Sequence, residues 1–408
     1  MSSSAGSRID ILIFSTDSRF FADLSSAHGD VCGRHRAYAA ALRKAAGVES
    51  TVRVIAYSGG RGDAGARRFD DGLEVYPAFA SRRIFYGIGL LRALPVVLRG
   101  WRPDVVTAQA PWGDAVLAYL VARLTGAAFV AQVHFDPYGA NIGREIRGYR
   151  WRRHVANFLL RRADVVRTVN LSVAKRLARD LGIAAERMDV IPVPVTVDTE
   201  SGNRDSEADG AAGETESGER PTVLFVGRFS PAKNLSVWVD AAAQIHLARP
   251  DVRFVLAGDG PEREKIVRMI EERGLQDVFE IPGNVPVDRL WELYRAATVF
   301  MFSSDNEGLP RVLIEAMWAG LPVVSTANAG ASEIISDEST GYVVPVGDAG
   351  GLAKRAVELL QNPVERQAMA DRARTEARLN FDPAKLADEI ALMWARAGNR
   401  TLRTERRD

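Results

Sequence analysis

The stretch EGLPRVLIEAMWAGLPVV, residues 307–324, sets two carboxylates, Glu307 and Glu315, on either side of seven mostly apolar residues. Pro310 suits a first helical position, where its ring presets φ and its missing N–H is no loss. Gly320 and Pro322 then stop the helix. Between these signals Arg311 and Glu315 are the only charges, and Val312, Leu313, Ile314, Met317 and Trp318 point in almost every direction, so the pattern predicts a buried helix. A carboxylate left unpaired in such a helix would cost several kcal/mol, so Glu315 requires a partner. One candidate is Arg311 at i, i+4, in the weaker orientation and worth about 0.3 to 0.5 kcal/mol when exposed. The other is a sugar, since one carboxylate can accept hydrogen bonds from two neighbouring hydroxyls. Glu307 precedes the helix, where Gly308 allows close backbone approach, and can meet the same ligand further along, while the helix N-terminus adds donors for an anion.

Other charges fall in similar places. After the apolar run TVLFVGR comes FSPAKN, so Arg228 and Lys233 stand just past a strand end, with Gly227, Pro231 and Asn234 shaping the turn. Two cations five apart can converge on a diphosphate, the guanidinium as a fork and the ammonium as a point charge. The alternative is a solvated loop with two surface charges. In LAGDGPEREK, Gly258 and Gly260 lie between a strand and a helix, but Arg263 stands where a dinucleotide fingerprint needs its third glycine. Pro261, Glu262 and Glu264 fit a helix-starting turn, and acidic residues there favour the helix dipole over phosphate binding. His134, in QVHFDP, ends another apolar run as either a core histidine or a functional one. No Asp-x-Asp pair stands at a strand end, and Asp305 is a lone carboxylate.

The elements that position these residues are short apolar runs at 9–15, 104–109, 128–134 and 164–170 in the first half, and at 222–228, 253–259, 278–283, 298–304 and 321–326 in the second. Runs rich in Val, Ile and Phe, separated by amphipathic segments, mark strands covered on both faces by helices. The fold class is therefore α/β with parallel sheets. Both halves have the same rhythm, which predicts two doubly wound, Rossmann-like domains. Ligands bind outside the carboxyl ends of such strands, so the expected site is a cleft between the domains.

Length and charge fit this picture. The chain has 408 residues, 47% hydrophobic and 26% charged, with a formal net charge of +1. That length suits two ordinary domains, and the charge balance gives no global field favouring nucleic acid. Cys32 is the only cysteine, which excludes an internal disulfide and fits a reducing compartment. The start MSSSAGSRIDILIFS lacks the pattern of a signal peptide, and no run of about 20 apolar residues is present, so a cytoplasmic protein is expected. Residues 199–220 contain no large apolar side chain and seven acidic ones against two arginines, which predicts a flexible acidic linker. Two basic, aromatic-bearing stretches, 81–102 and 144–162, read either as surface helices with solvated arginines or as a peripheral contact at the inner face of the cell membrane.

The segment EGLPRVLIEA, taken with FVGRFSPAKN, LAGDGPER, IPGNVP, LYRAATVFMFSS, GLPVVSTANAGASEII and GYVVPVGD in that order, resembles the retaining glycosyltransferases of family 4, often called glycosyl transferases group 1, which have the GT-B fold. The resemblance covers 221–378 strongly. In the first half it rests on RPDVVTAQ, VAQVHFDP, RADVVRTVNLS and VIPVPVTVD. It implies an acceptor-side domain over 1–198, a nucleotide-sugar-binding domain over 221–380, and a C-terminal helix over 381–398 that crosses back to the first domain through Leu386, Ile390, Leu392 and Trp394, with a frayed tail beyond. It further implies a nucleotide diphosphate sugar donor and a saccharide or lipid-linked acceptor.

In that scheme Glu315 binds the ribose hydroxyls, with Arg311 a bystander, and Arg228 and Lys233 bind the diphosphate. Glu307 lies near the transferred sugar, Gly308 and Leu309 supply backbone donors, and Asn284 and Val285 sit against the base. His134 contacts the donor sugar, and Gly33 offers backbone approach to the phosphates or the acceptor. Fixed cations at the departing diphosphate imply turnover with no cofactor and no metal. Three departures stand out: Gly29 and Gly33 are not an adjacent pair, Ala329 precedes Gly330 where a second glycine is frequent, and VIPVPVTVD lacks the usual Asn-Gly turn. The rival readings are a GT-B binding or scaffold protein that does not turn over and a nicotinamide-dependent Rossmann oxidoreductase, the latter undercut by the missing third glycine.

Overall fold

A computed structural model describes residues 8–21, 31–59, 65–81, 86–134, 148–195 and 220–405. The expected linker over 199–220 lies outside the described residues but for Arg220, as does Gly29. The chain divides into two compact units, one made of Met1–Pro194 with Pro383–Asp408 and the other of Val195–Asp382.

The first unit is built on eight strands: β1 (Asp10–Ser15), β2 (Thr51–Tyr57), β3 (Arg67–Arg68), β4 (Leu73–Ala78), β5 (Val105–Ala108), β6 (Ala128–Val133), β7 (Val165–Thr168) and β8 (Met188–Val190). They lie in the order β3-β4-β2-β1-β5-β6-β7-β8, parallel except for the edge pair β3 and β4. Helices α1 (Val31–Ala46), α2 (Tyr86–Val97), α3 (Asp114–Thr125), α4 (Tyr149–Arg162) and α5 (Leu171–Leu181) make the connections. Strand side chains alternate between faces. Ile11 and Ile13 therefore join Leu42 of α1 in one buried cluster, while Leu12 and Phe14 join Leu90 of α2, Val121 of α3 and Leu159 of α4 in another. Helices on both faces explain why β1 and β5 to β7 are buried throughout.

The second unit repeats the plan with β9 (Thr222–Val226), β10 (Arg253–Ala257), β11 (Phe279–Gly283), β12 (Val299–Phe302), β13 (Val323–Thr326) and β14 (Gly341–Val344), ordered β11-β10-β9-β12-β13-β14 and all parallel. Its helices are α6 (Leu235–Ala248), α7 (Arg263–Glu272), α8 (Val287–Ala296), α9 (Arg311–Trp318), the single turn α10 (Ala331–Ile334), α11 (Ala349–Gln361) and α12 (Pro363–Asn380). Strand order reverses between β9 and β12, the switch point at which such sheets open a crevice at their carboxyl ends. An aromatic core fixes that region. Phe225 of β9 stacks on Phe302 of β12 with centroids 5.9 Å apart, and Trp238 of α6 donates from Nε1 to the Met301 carbonyl at 2.8 Å.

The last helix, α13 (Pro383–Glu405), belongs to the first unit. Leu386, Ile390 and Trp394 are buried, and Trp394 meets Tyr38 of α1 edge to face at 5.9 Å. Leu392 does not share this face: it is 53% exposed, because it falls on the side of the helix opposite Ile390 and Trp394. The helix extends through Glu405, past the expected bound at 398, since NRTLRTE has neither a proline nor a glycine to stop it. Among the described residues no helix is long and apolar enough to cross a membrane.

Candidate functional site

The second unit collects most of the candidate residues at the carboxyl ends of β9, β11 and β12. The chain leaves β9 at Gly227, whose N–H donates to the Ala257 carbonyl at 3.0 Å. The loop after β10 packs against it so closely that a Cβ on Gly258 would stand 1.9 Å from the Gly227 carbonyl oxygen, and one on Gly260 would stand 2.3 Å from that of Phe229. Gly258 also has a φ of 148°, which side-chain-bearing residues rarely adopt. Phe229 N–H donates to the Asp259 carbonyl at 2.9 Å, completing the seam. The glycines of LAGDGP thus serve as the floor of the loop that presents Arg228 and Lys233.

Arg228 is exposed in that loop. Asn234 closes it in the left-handed conformation, φ 46°, and its Nδ2 donates to Asp305 Oδ1 at 2.8 Å. Lys233 is held from two sides: its ammonium pairs with Glu307 Oε1 and lies 4.9 Å from the Phe302 ring centroid. Both members of this pair are largely buried, with side-chain exposures of 17% for Lys233 and 19% for Glu307. Ser304 Oγ lies 2.9 Å from Glu307 Oε1 and 2.8 Å from the Ala232 carbonyl, so its one proton serves two acceptors. The loop after β13 backs this arrangement. Thr326 Oγ1 donates to the Ser304 carbonyl at 2.7 Å, and Gly330 N–H to the Glu307 carbonyl at 3.2 Å. A side chain at Gly330 would meet Pro310 Cδ at 2.5 Å, so this single glycine suffices for the approach and Ala329 is tolerated beside it.

Helix α9 begins at Arg311, with Pro310 as its cap rather than its first residue. It buries Leu313, Ile314, Ala316 and Met317, while Val312, Glu315 and Trp318 are half-buried, so the helix is covered on one face rather than all round. Each of the large buried side chains contributes about 1.5 to 3 kcal/mol. Glu315 has two partners. Tyr294 of α8 donates from its hydroxyl to Oε2 at 3.1 Å, and Arg311 Nη2 reaches Oε1 at 3.4 Å. Arg311 is therefore a partner and not a bystander, because the i, i+4 spacing brings it onto the same edge of the helix. Burial and the facing Glu315 carboxylate hold the Tyr294 hydroxyl well above its ordinary pKa, so it stays a donor. Gly308 is buried and Leu309 half-buried in the turn before the helix. Asn284, exposed, and Val285, half-buried, follow β11 at Gly283, whose carbonyl accepts from Gly258 N–H at 2.8 Å.

His134 and Gly33 belong to the first unit. His134 follows the end of β6; its ring Nδ1 is enclosed without a hydrogen-bond partner, and burial, aided by Arg167, Arg34 and His35, lowers its pKa to about 3. At neutral pH it offers a hydrogen bond and not a charge. Gly33 sits half-buried in the first turn of α1. Two residues further on, buried His35 has its pKa lowered to about 4 by burial, with Nδ1 2.7 Å from the Val31 carbonyl and Nε2 3.0 Å from Gln109 Nε2. That pairing fixes a neutral tautomer that donates from Nδ1. Arg167 is buried with three neutral acceptors, the carbonyls of Ile191 and Pro192 at 3.1 and 2.8 Å and Gln132 Oε1 at 2.9 Å.

Sequence reasoning overlooked Tyr294, Ser304, Thr326, His35, Gln109 and Arg167. Arg167 did carry a signal, a cation inside an otherwise apolar strand run. Tyr294 carried none, being 21 residues from the carboxylate it serves. Among the described residues no group of three His, Cys, Asp or Glu side chains could hold a metal ion.

Comparison with known proteins agrees with this architecture. The family model described as glycosyl transferases group 1 matches residues 209–376, and that of glycosyltransferase family 4 matches residues 36–199. Among curated relatives, the alpha-D-kanosaminyltransferase of Streptomyces kanamyceticus is 27% identical over 292 residues, spanning 70% of this chain and 74% of that protein. The 2-deoxystreptamine N-acetyl-D-glucosaminyltransferase of Streptomyces fradiae is 30% identical over 279 residues, 65% of each chain. Among solved structures, sucrose-phosphate synthase from Thermosynechococcus elongatus superposes with a TM-score of 0.76 at 19% identity, covering 95% of this chain and 98% of that one. Anabaena HepE in complex with UDP gives 0.67 at 18% identity, covering 94% and 99%. With two Rossmann-like sheets, each matched by its own half of the family description, the chain belongs to the family 4, group 1 glycosyltransferases of GT-B fold.

Proposed function

We propose that this chain is a retaining glycosyltransferase that moves a sugar from a nucleotide diphosphate donor to a saccharide or lipid-linked acceptor without a metal ion or other cofactor. The observation that carries this reading is the Lys233 and Glu307 pair fixed in the loops after β9 and β12, followed on α9 by a second half-buried carboxylate, Glu315, held by Tyr294 and Arg311. Glu315, oriented by Tyr294 and Arg311, has lone pairs left to accept from the ribose hydroxyls. Lys233 and Arg228 bind the diphosphate, and Lys233 exchanges part of its pairing with Glu307 for a phosphate oxygen as negative charge develops there. Glu307, with the Gly308 and Leu309 backbone, then faces the transferred sugar. Asn284 and Val285 flank the base, His134 supplies a neutral hydrogen bond to the sugar, and Gly33 offers backbone approach.

Retention follows if the acceptor hydroxyl attacks from the face the diphosphate leaves. The bond from the anomeric carbon to the phosphate oxygen breaks, the bond to the acceptor oxygen forms, and the acceptor's proton passes to the departing phosphate. Support for a nucleotide diphosphate donor comes from HepE, which has been solved with UDP-glucose, and from a 30% identical GDP-mannose-dependent mannosyltransferase of Mycolicibacterium smegmatis.

The test is a panel of uridine, guanosine, adenosine and thymidine diphosphate sugars, screened by thermal shift and then by donor hydrolysis in the presence of a chelator. At least one donor is expected to stabilise the protein and to be hydrolysed with the anomeric configuration retained. No stabilisation by any donor would remove the assignment of the donor site. Activity lost in chelator and restored by Mg²⁺ would remove metal independence.

A further inference from the structure

On one face of the first unit's sheet lie α2, α3 and α4, with α5 beside them. Their inward residues share one core cluster, and the ring of Tyr119 on α3 meets that of Phe158 on α4 at 6.1 Å. Outwards these helices are unlike ordinary surface helices. Along α3, Val116, Leu120 and Leu124 recur every fourth residue, and Leu124 is 87% exposed. On α4, Trp151 and Phe158 stand two turns apart on the exposed side, Trp151 at 69% exposure. On α2, Ile88, Leu91 and Val96 are exposed.

The charges on these three helices are almost all of one sign, with Asp164 just past α4 and Asp180 on the neighbouring α5 the acidic residues at the border. No acidic residue occurs between Glu74 and Asp104, or between Glu145 and Asp164, and α3 has only Asp114 in its first turn. Arg92 and Arg123 project from α2 and α3, and Arg150, Arg152 and Arg161 from α4, all exposed. A second copy of the chain would set arginine against arginine on this face. Nucleic acid would meet the cations but leave the leucines, valines and isoleucine in water. An anionic bilayer surface satisfies both, taking Trp and aliphatic side chains at the headgroup boundary while its phosphates meet the guanidinium groups.

We propose that the α2, α3 and α4 face of the first unit is a peripheral docking surface for anionic lipid membrane. It places the acceptor-side unit against a bilayer, which suits an acceptor carried on a lipid.

The experiment is co-sedimentation of the full chain with phosphatidylcholine vesicles, with and without phosphatidylglycerol. Pelleting is expected with the anionic vesicles alone and should decline with salt. Arg150→Gln and Arg161→Gln should each weaken partitioning about fivefold. Leu124→Ser with Trp151→Ser should weaken it about tenfold or more, including at high salt, because this contribution is apolar. All four positions are exposed, and none lies in the second unit, so the thermal shift produced by nucleotide sugars should be unchanged in every variant. Absence of pelleting with anionic vesicles would overturn the proposal. So would equal partitioning of all variants, or variants that convert an oligomer to a monomer while leaving vesicle binding intact.

Discussion

Replacing Glu315 by alanine separates the structural job of the carboxylate from the ribose contact proposed for it. In the structure Oε2 accepts from Tyr294 and Oε1 from Arg311, at 3.1 and 3.4 Å, and the side chain is only 13% exposed. A carboxylate has about four lone-pair sites, so roughly two remain for ribose hydroxyls. Hydrogen bonds to a charged group contribute about 1.5 to 3 kcal/mol each, so losing two costs about 3 kcal/mol at the lower end, a roughly 100-fold loss of affinity. The same substitution strands the buried Tyr294 hydroxyl, at a cost of about 1 to 3 kcal/mol in stability, which for a unit of this size lowers Tm by roughly 2 to 10 °C. A ligand cycle isolates the first effect from the second. Isothermal titration with the best nucleoside diphosphate and with its 2′,3′-dideoxy analogue should show a large loss for the ribose form in Glu315→Ala and little further loss for the dideoxy form. Glu315→Gln, which leaves Tyr294 an acceptor, should recover most of the Tm. Equal losses for both ligands would refute the ribose contact and leave Glu315 a purely structural residue.

Three further outcomes are expected. Glu307→Gln should slow sugar transfer by tenfold or more while changing nucleoside diphosphate affinity by less than about threefold, since it weakens the pairing with Lys233 without removing the cation; stopped transfer and binding falling together would contradict this division. Gly258→Ala should destabilise the protein by about 1 to 3 kcal/mol and weaken donor binding, because its Cβ would collide with the Gly227 carbonyl that floors the Lys233 loop; a wild-type Tm would refute the seam. His35 and His134 have pKa values pulled below the ordinary 6.5, so the unfolded chain takes up their protons first as pH falls. Stability is then fully present above about pH 6.5 and drops through pH 6 and 5, on the order of 1.4 kcal/mol per pH unit for each histidine. Urea denaturation of wild type and His134→Gln should give a flatter slope for the variant, and a midpoint that does not move between pH 7 and 5 would exclude both shifts.

Strands buried on both faces were legible in the sequence because their runs are apolar but for single residues such as Gln132 and Arg167. By contrast β2 and β4 were not singled out, since Arg53 and Glu74, paired at 2.8 Å, and Pro77 break their runs and these strands lie toward an edge of the sheet. At the candidate site, the charged residues just past strand ends could be picked out by position. Their partners could not. Tyr294 reaches Glu315 from another helix, Ser304 serves a carbonyl and a carboxylate from different loops, and Gly258 and Gly260 read as a helix-starting turn although their tightest contacts are with the loop after β9. Spacing did offer the Arg311 and Glu315 pair, and the ribose role alone led to its dismissal.

The return of α13 to the first unit also orders events at the ribosome. The second unit is a continuous segment, Val195–Asp382, and can complete its sheet once that segment has emerged. The first unit, though synthesised earlier, keeps Tyr38 and Leu42 uncovered on its α1 side until Ile390 and Trp394 arrive with α13. The unit synthesised earlier is thus the one that finishes folding later, and a nonsense codon just before Pro383 would expose the hydrophobic flank of the first unit's sheet while leaving the other sheet whole.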